Sequence, residues 1–293
     1  MYVITGATGN IGRVLTNQLL DNGEKVRVIS RDTARVNSFL DKGAEPFIGD
    51  QGDVDFLTKA FKGATAVFAM LPPNYAAENH LEYQKSMGAT MVTAIKNSGV
   101  THVVALSSIG AHLPENGGIV QGMYYYEQKL HELKDVQVAI LLPSYFMENL
   151  YGNIGMIKGM NINGSPLKRN LKFPLVATKD IAQMAFEKLT DSNLSGISTH
   201  YVLGPHDVSS EELTQVLSQA IDKDIPYVEF SYEEAEQAMK QFLSPDSAKA
   251  MVKFYRSMNE GLIIEPGIRN ASNSTQTTLE EFAKSFAYAY NQN

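Results

Sequence analysis

Tyr2-Val3-Ile4-Thr5-Gly6-Ala7-Thr8-Gly9-Asn10-Ile11-Gly12 follows the initial methionine. It joins a short β-rich run to three glycines spaced Gly-x-x-Gly-x-x-Gly. Ile11, Leu15 and Leu19 then recur every four residues, with Val14 and Leu20 widening the stripe. The pattern predicts a strand, a tight turn and an amphipathic helix, with Gly23 as its C-terminal cap. Each glycine has its own task. Gly6 lets the chain reverse out of the strand, Gly9 lets backbone approach a ligand, and Gly12 lets the helix pack closely on the sheet. A helix N-terminus in that position presents free N–H groups and partial positive charge to phosphate. Strand, glycine turn and helix together predict a site for the pyrophosphate of a dinucleotide.

Further strands are predicted at Lys25–Ser30, Pro46–Ile48, Ala66–Leu71, His102–Ser107, Val138–Leu142 and Thr199–Leu203, with helices over Val54–Phe61 and Leu81–Lys96. Alternating strands and helices predict an α/β fold, a Rossmann-type doubly wound parallel sheet, with a smaller and mostly helical C-terminal lobe. The nucleotide-binding domain is placed at residues 1–149, rejoined by 176–207. Residues 208–293, with 150–175, form the smaller substrate or partner lobe. Thr178-Lys179-Asp180 is read as a helix start with Thr178 as N-cap, and Ser209–Glu212 and Thr278–Glu281 as capping boxes. The Gly- and Asn-rich stretch 151–173 is read as loops and short elements near a pocket.

The second strand ends Val28-Ile29-Ser30-Arg31-Asp32. Arg31 lies 19 residues past Gly12, where a guanidinium can fork onto a ribose 2′-phosphate, with Arg35 as a second charge. This favours NADP. NAD is the competing reading, with Asp32 on the ribose 2′-OH. Asp50, after the short third strand, either lies near the adenine edge or simply shapes a turn.

The 293-residue chain is 44% hydrophobic and 19% charged, with net charge −7, a globular composition. No basic cluster points to nucleic acid. No apolar run approaches the ~18–20 residues that span a bilayer, and the strand-like start is not a secretory signal. A cytoplasmic protein, monomer or homodimer, is expected. With no cysteine, thiolate chemistry and Cys-ligated metals are excluded. The six histidines show no metal-ligand spacing, so no metal site is predicted. Met123, Met147, Met156 and Met160 fall on the presumed substrate side, and methionines suit flat or apolar shapes.

The segments Ile4–Gly12, Arg31-Asp32, Gly49-Asp50, Leu106–Ala111, Pro143-Ser144-Tyr145-Phe146-Met147-Glu148-Asn149 and Asp180-Ile181-Ala182 resemble those of the NmrA-like family of atypical short-chain dehydrogenases/reductases. The resemblance implies that Gly6, Thr8, Gly9, Asn10 and Ile11 line the pyrophosphate and Arg31 the 2′-phosphate. It implies that Leu71 and Pro72 lie along the cofactor, with Ser107, Ser108, Pro143, Tyr145 and Phe146 around the nicotinamide. The family includes NADPH-dependent quinone or carbonyl reductases as well as cofactor-binding redox sensors.

A proton donor is sought in the Tyr-x-x-x-Lys pair of short-chain reductases, where the ammonium favours the tyrosinate. Tyr125 and Lys129 match it, and Ser108 precedes them. Only 13 residues separate Lys129 from Pro143, which shortens the usual helix by more than a turn, ~5 residues, and argues for aromatic packing with Lys129 in solvent. Tyr145, or water held by Ser108, is the alternative donor. Three functions follow: an NADPH-dependent oxidoreductase for a small apolar carbonyl or quinone, a non-catalytic NADP(H) redox sensor with a protein partner, or a sugar-nucleotide epimerase or dehydratase.

Overall fold

The computed structural model describes residues 1–292. Its strands are β1 (Tyr2–Ile4), β2 (Val26–Ser30), β3 (Glu45–Ile48), β4 (Ala66–Met70), β5 (His102–Leu106), β6 (Gln137–Pro143), β7 (Tyr145–Phe146), β8 (Asn163–Ser165), β9 (Lys172–Val176), β10 (Ile197–Val202), β11 (Asp207–Ser209) and β12 (Tyr227–Glu229). The helices are α1 (Asn10–Asp21), α2 (Asn37–Leu40), α3 (Val54–Phe61), α4 (His80–Ser98), α5 (Gln121–His131), α6 (Ile154–Met160), α7 (Thr178–Thr190), α8 (Ser210–Ala220), α9 (Tyr232–Met239), α10 (Pro245–Asn259) and α11 (Leu279–Gln292).

Seven strands form one parallel sheet in the order β10-β6-β5-β4-β1-β2-β3. Successive residues of each strand face opposite sides, so both faces must be covered. Ile4, Val28, Phe68, Val104 and Leu141 pack under Ile11, Leu15 and Leu19 of α1 and Ile181 and Ala185 of α7. Val3, Ile29, Val67, Val103 and Ile140 pack under Leu57 and Phe61 of α3, Met91 and Ile95 of α4, and Tyr126 and Leu130 of α5. Each fully buried Leu, Ile, Val or Phe contributes about 1.5–3 kcal/mol, which is why strands of only three to five residues hold their register.

The chain runs from β1 outward to β2 and β3, then crosses back to β4 on the other side of β1. That reversal opens a crevice at the carboxyl ends of β1 and β4, where sheets of this kind bind ligands. The segment predicted at Thr199–Leu203 does return to the sheet, as β10 beside β6.

A third core lies beyond the sheet, among Ile154 and Ile157 of α6, Phe173 of β9, Leu213 and Leu217 of α8, Phe254 of α10 and Phe282 and Phe286 of α11. Ser209 and Glu212 form the expected capping box of α8, and the Glu281 N–H donates to the Thr278 hydroxyl at 3.1 Å. Ser231 and Glu234 form a further box on α9. The expected cap of α7 is corrected: Ala177 is the N-cap and Thr178 the first helical residue, because the Thr178 hydroxyl is drawn away to Glu148 at 2.6 Å. No helix among the described residues is long and apolar enough to cross a membrane.

Candidate cofactor and substrate site

The glycine turn sits where β1 meets α1, at the crevice. Gly6 has φ +63°, and a Cβ there would lie 2.0 Å from Met70 Cε. Gly12 presses on the turn's own backbone: a Cβ would stand 2.2 Å from Gly6 O and 2.7 Å from Gly6 C. Its role is therefore to close the turn, more than to seat the helix on the sheet. Gly9 is the N-cap of α1 and has no side chain to cap with. The first intrahelical bond runs from Arg13 N–H to Gly9 O at 2.9 Å. The N–H groups of Asn10, Ile11 and Gly12 precede it and are left for an external acceptor. Thr5 fixes the turn's root, taking the Met70 N–H at 2.7 Å and donating to Phe68 O at 2.9 Å.

On the far side of the crevice the end of β2 carries Arg31, exposed and with no side-chain ion pair or hydrogen bond among the described residues. The neighbouring Asp32 carboxylate is engaged instead, accepting the Ala34 N–H at 2.9 Å. Asp50 shapes a turn, taking the Gly52 N–H at 2.9 Å. It still stands with Arg31 within electrostatic reach of the Tyr83 hydroxyl. Tyr83 donates to Pro72 O at 2.9 Å and so pins the segment after β4. Tyr83 was not among the residues singled out from sequence, although it stands four residues before Met87 in step with Met91 and Ile95 and packs against the same core. Free amides at a side-chain-less cap, an unpaired guanidinium and a crevice between them fit a dinucleotide with an anionic ribose.

At the other end, Leu71 and Ser107 are buried and Pro143 closes β6. Tyr145 and Phe146 follow as β7, paired with β9. Tyr145 packs edge-on to Phe173 and its hydroxyl lies 3.5 Å from that of Tyr255. Burial drives the Tyr145 phenol well above its ordinary pKa, and Tyr255 adds to it, so Tyr145 stays protonated.

Tyr145 and Tyr255 also line a cavity of about 260 Å³ bounded by Met156, Phe173, Tyr227 and Met239, with Phe242, 84% exposed, at its rim. No lining residue carries a charge. Asn163 and Tyr227 spend their polar atoms inside the wall, on Thr214 at 2.8 Å and on Leu167 O at 2.7 Å. Among the described residues the Tyr145 and Tyr255 hydroxyls have only each other. Of the methionines singled out in sequence, Met156 lines this cavity; Met147 is in the third core, Met123 on α5 packs against the sheet-side core under α3, α4 and α5, and Met160 is 64% exposed.

Tyr125 and Lys129 share α5 but not a partner. Lys85 Nζ lies 4.4 Å from the Tyr125 ring, and Lys129 Nζ is 3.7 Å from Glu132 and half-exposed. Ser108 is half-buried and its carbonyl takes the Ala111 N–H at 3.2 Å. The side chain on α5 that reaches the end of β5 is Glu127, which accepts the Ser107 hydroxyl. Among the described residues no three acidic or histidine side chains gather as a metal cluster.

The sequence pattern of the NmrA-like family matches residues 2–283. An NAD(P)H azoreductase of Xenophilus azovorans is 27% identical, over 99% of each chain. The NADPH-dependent quinone oxidoreductase of Escherichia coli, solved with NADPH, superposes with TM-score 0.83 at 18% identity, over 97% of this chain and 99% of that one. The triphenylmethane reductase of Citrobacter sp., solved with NADP(H), gives 0.82 at 18% identity, over 98% and 100%.

Proposed function

Because the chain belongs to the NmrA-like family, we propose that it is an NADPH-dependent oxidoreductase acting on a small, flat, uncharged acceptor such as a quinone, a carbonyl or an azo compound. The observation that carries this reading is the cavity beside Tyr145, apolar and free of charged side chains, whose wall begins two residues after the end of β6. A site for a sugar nucleotide needs cationic or dense polar contacts to a diphosphate, and this wall offers none. The named activities of the Xenophilus and Escherichia coli proteins support the same class.

The amides at Gly9–Gly12 hold the pyrophosphate and Arg31 the 2′-phosphate, which gives NADPH its preference over NADH. Asp50 borders the adenosine end, with Leu71 and Pro72 along the cofactor. Ser107, Pro143, Tyr145 and Phe146 surround the nicotinamide. When bound, that ring in its reduced form supplies a hydride. Tyr145 and Tyr255, both protonated, donate to the acceptor's oxygen or nitrogen and orient it, while the aromatic wall excludes water. Residues 1–149 with 176–207 provide the nucleotide site, and 150–175 with 208–293 the acceptor site, in a cytoplasmic monomer or homodimer.

The test follows NADPH oxidation by the purified protein with menadione, an uncharged azo dye, a small aldehyde and UDP-glucose. Turnover with a neutral flat acceptor, reduced in Tyr145→Phe, supports the reading. Tight NADPH binding with no turnover of any acceptor overturns it and favours a redox sensor.

A further inference from the structure

The proton required by a reduction has a candidate source that the Tyr-x-x-x-Lys pattern does not contain. Ser107 follows the last residue of β5 and is buried. Its N–H is fixed on Leu141 O at 2.8 Å, so the β5–β6 ladder sets the position of its side chain. The hydroxyl reaches across to Oε1 of Glu127. Glu127 is held against the sheet by the preceding residue, Tyr126, which is buried and donates to Ala69 O at 3.3 Å. The pair therefore bridges α5 and the carboxyl end of the sheet, beside the crevice.

No lysine, arginine or histidine compensates Glu127 among the described residues. The titratable groups that face it are Tyr126 on its own helix and Tyr201 on β10, and Tyr201 in turn donates to Glu265. Burial raises the Glu127 carboxyl above the ordinary glutamate range, and the Ser107 hydrogen bond offsets part of that rise. An uncompensated carboxyl in such a place tends to keep its proton.

We propose that Glu127 is the positioning residue and proton store for the reaction, delivering through the Ser107 hydroxyl to the acceptor. This rests on the reductase reading above. The hydride accounts for both electrons and one hydrogen, so the reduced acceptor needs one proton more. As negative charge develops on the acceptor's oxygen or nitrogen, the Ser107 hydroxyl rotates from Glu127 to the acceptor, leaving its Oγ to accept from the protonated Glu127, and the Ser107 O–H bond breaks toward the acceptor. The Glu127 O–H bond breaks toward Ser107 Oγ at the same time. Ser107 is thereby regenerated, Glu127 is left as a carboxylate, and solvent returns a proton before the next turnover. Neither Lys129 nor Tyr125 is needed.

Glu127→Gln keeps the shape and an acceptor for the Ser107 hydroxyl, and removes the proton. Infrared difference spectra of the unliganded chain, wild type against E127Q, are expected to show a protonated-carboxyl band that persists above the ordinary glutamate pKa and shifts in Ser107→Ala. Loss of that band over the whole pH range overturns the pair. With menadione and NADPH, wild-type kcat is expected to fall as pH rises through the Glu127 titration. E127Q is expected to lose about 10²-fold in kcat and that pH limb, with NADPH affinity retained. A wild-type kcat and pH profile in E127Q overturns the proposal, as does weakened NADPH binding at unchanged kcat. A wild type that binds NADPH and reduces nothing overturns the reductase reading and the delivery step together, while the infrared band separately decides whether the pair holds a proton.

Discussion

Glu148 places both carboxylate oxygens on the N–H of Thr178, each at 3.0 Å, and one of them also takes the Thr178 hydroxyl at 2.6 Å. Glu148 belongs to the Pro143–Asn149 segment, one of those on which the resemblance rests, and its contacts are those of a cap. It sits at the positive end of α7, satisfying an amide that has no intrahelical partner. Asp180, in the same first turn, reaches the other way, to the Thr277 N–H at 3.1 Å and hydroxyl at 2.7 Å. Together the two carboxylates tie 147–149, α7 and the start of the C-terminal helix. Glu148→Ala is expected to cost about 1–3 kcal/mol of stability, measured by urea denaturation, with NADPH affinity within about twofold of wild type, ~0.4 kcal/mol. Intact stability with lost cofactor binding would instead move Glu148 into the site.

Gly12 and Gly9 of the turn are expected to fail in different ways. A Cβ on Gly12 meets Gly6 O at 2.2 Å and Ala7 Cα at 2.9 Å. Those are backbone atoms that cannot rotate aside, so Gly12→Ala lowers the melting temperature with or without cofactor. A Cβ on Gly9 meets only Gly6 O, at 3.3 Å, which a small shift relieves. Gly9→Ala is therefore expected to fold normally and to weaken NADPH binding about tenfold or more, ~1.4 kcal/mol, since the methyl stands where a pyrophosphate must approach. Calorimetry against thermal melting separates the two. A G9A variant that binds NADPH as wild type does would remove the phosphate from this turn.

What the sequence made legible was whatever repeats at short range. The inner strands are largely apolar on both faces, so Lys25–Ser30, Ala66–Leu71 and His102–Ser107 stood out, each within one residue of the observed strand at either end, and the glycine turn is contiguous. The features missed are pairs made by folding. Thr178 is a good N-cap by composition, and only the arrival of Glu148 from 30 residues away takes its hydroxyl. Glu127 was passed over between two residues that matched a known pattern. A signal was present: Gly122, Tyr126 and Leu130 are the buried stripe of α5, so position 127 borders it, and a carboxylate beside a buried stripe near the carboxyl end of a sheet is costly unless used or protonated. The cavity wall draws on residues from Tyr145 to Tyr255, beyond any local pattern.

Arg31 carries the expected preference for NADPH. Its guanidinium is unpaired among the described residues, whereas the Asp32 carboxylate, the group that would choose NADH, is turned into the Ala34 amide at 2.9 Å. Charge-assisted hydrogen bonds contribute about 1.5–3 kcal/mol. Arg31→Ala is therefore expected to weaken NADPH about 10- to 100-fold while leaving NADH nearly unchanged, as read by fluorescence titration of both cofactors. An equal loss for both would place Arg31 away from the 2′-phosphate.

Glu127 also links folding to pH, whether or not it serves the reaction. Its folded-state pKa is raised, mainly by burial, so the folded chain binds this proton more tightly than the unfolded chain. The stabilisation is complete below the unfolded glutamate value and is lost as pH rises through the raised one. Glu127→Gln has no such proton to lose. The melting temperature of wild type minus that of E127Q is expected to fall as pH rises from about 4 to about 8, then to level off once Glu127 is ionised in both states. A difference that grows with pH would mean the carboxylate, and not the acid, is the form the fold prefers. The Ser107 hydroxyl would then be a permanent donor to Glu127, with no proton left to pass on.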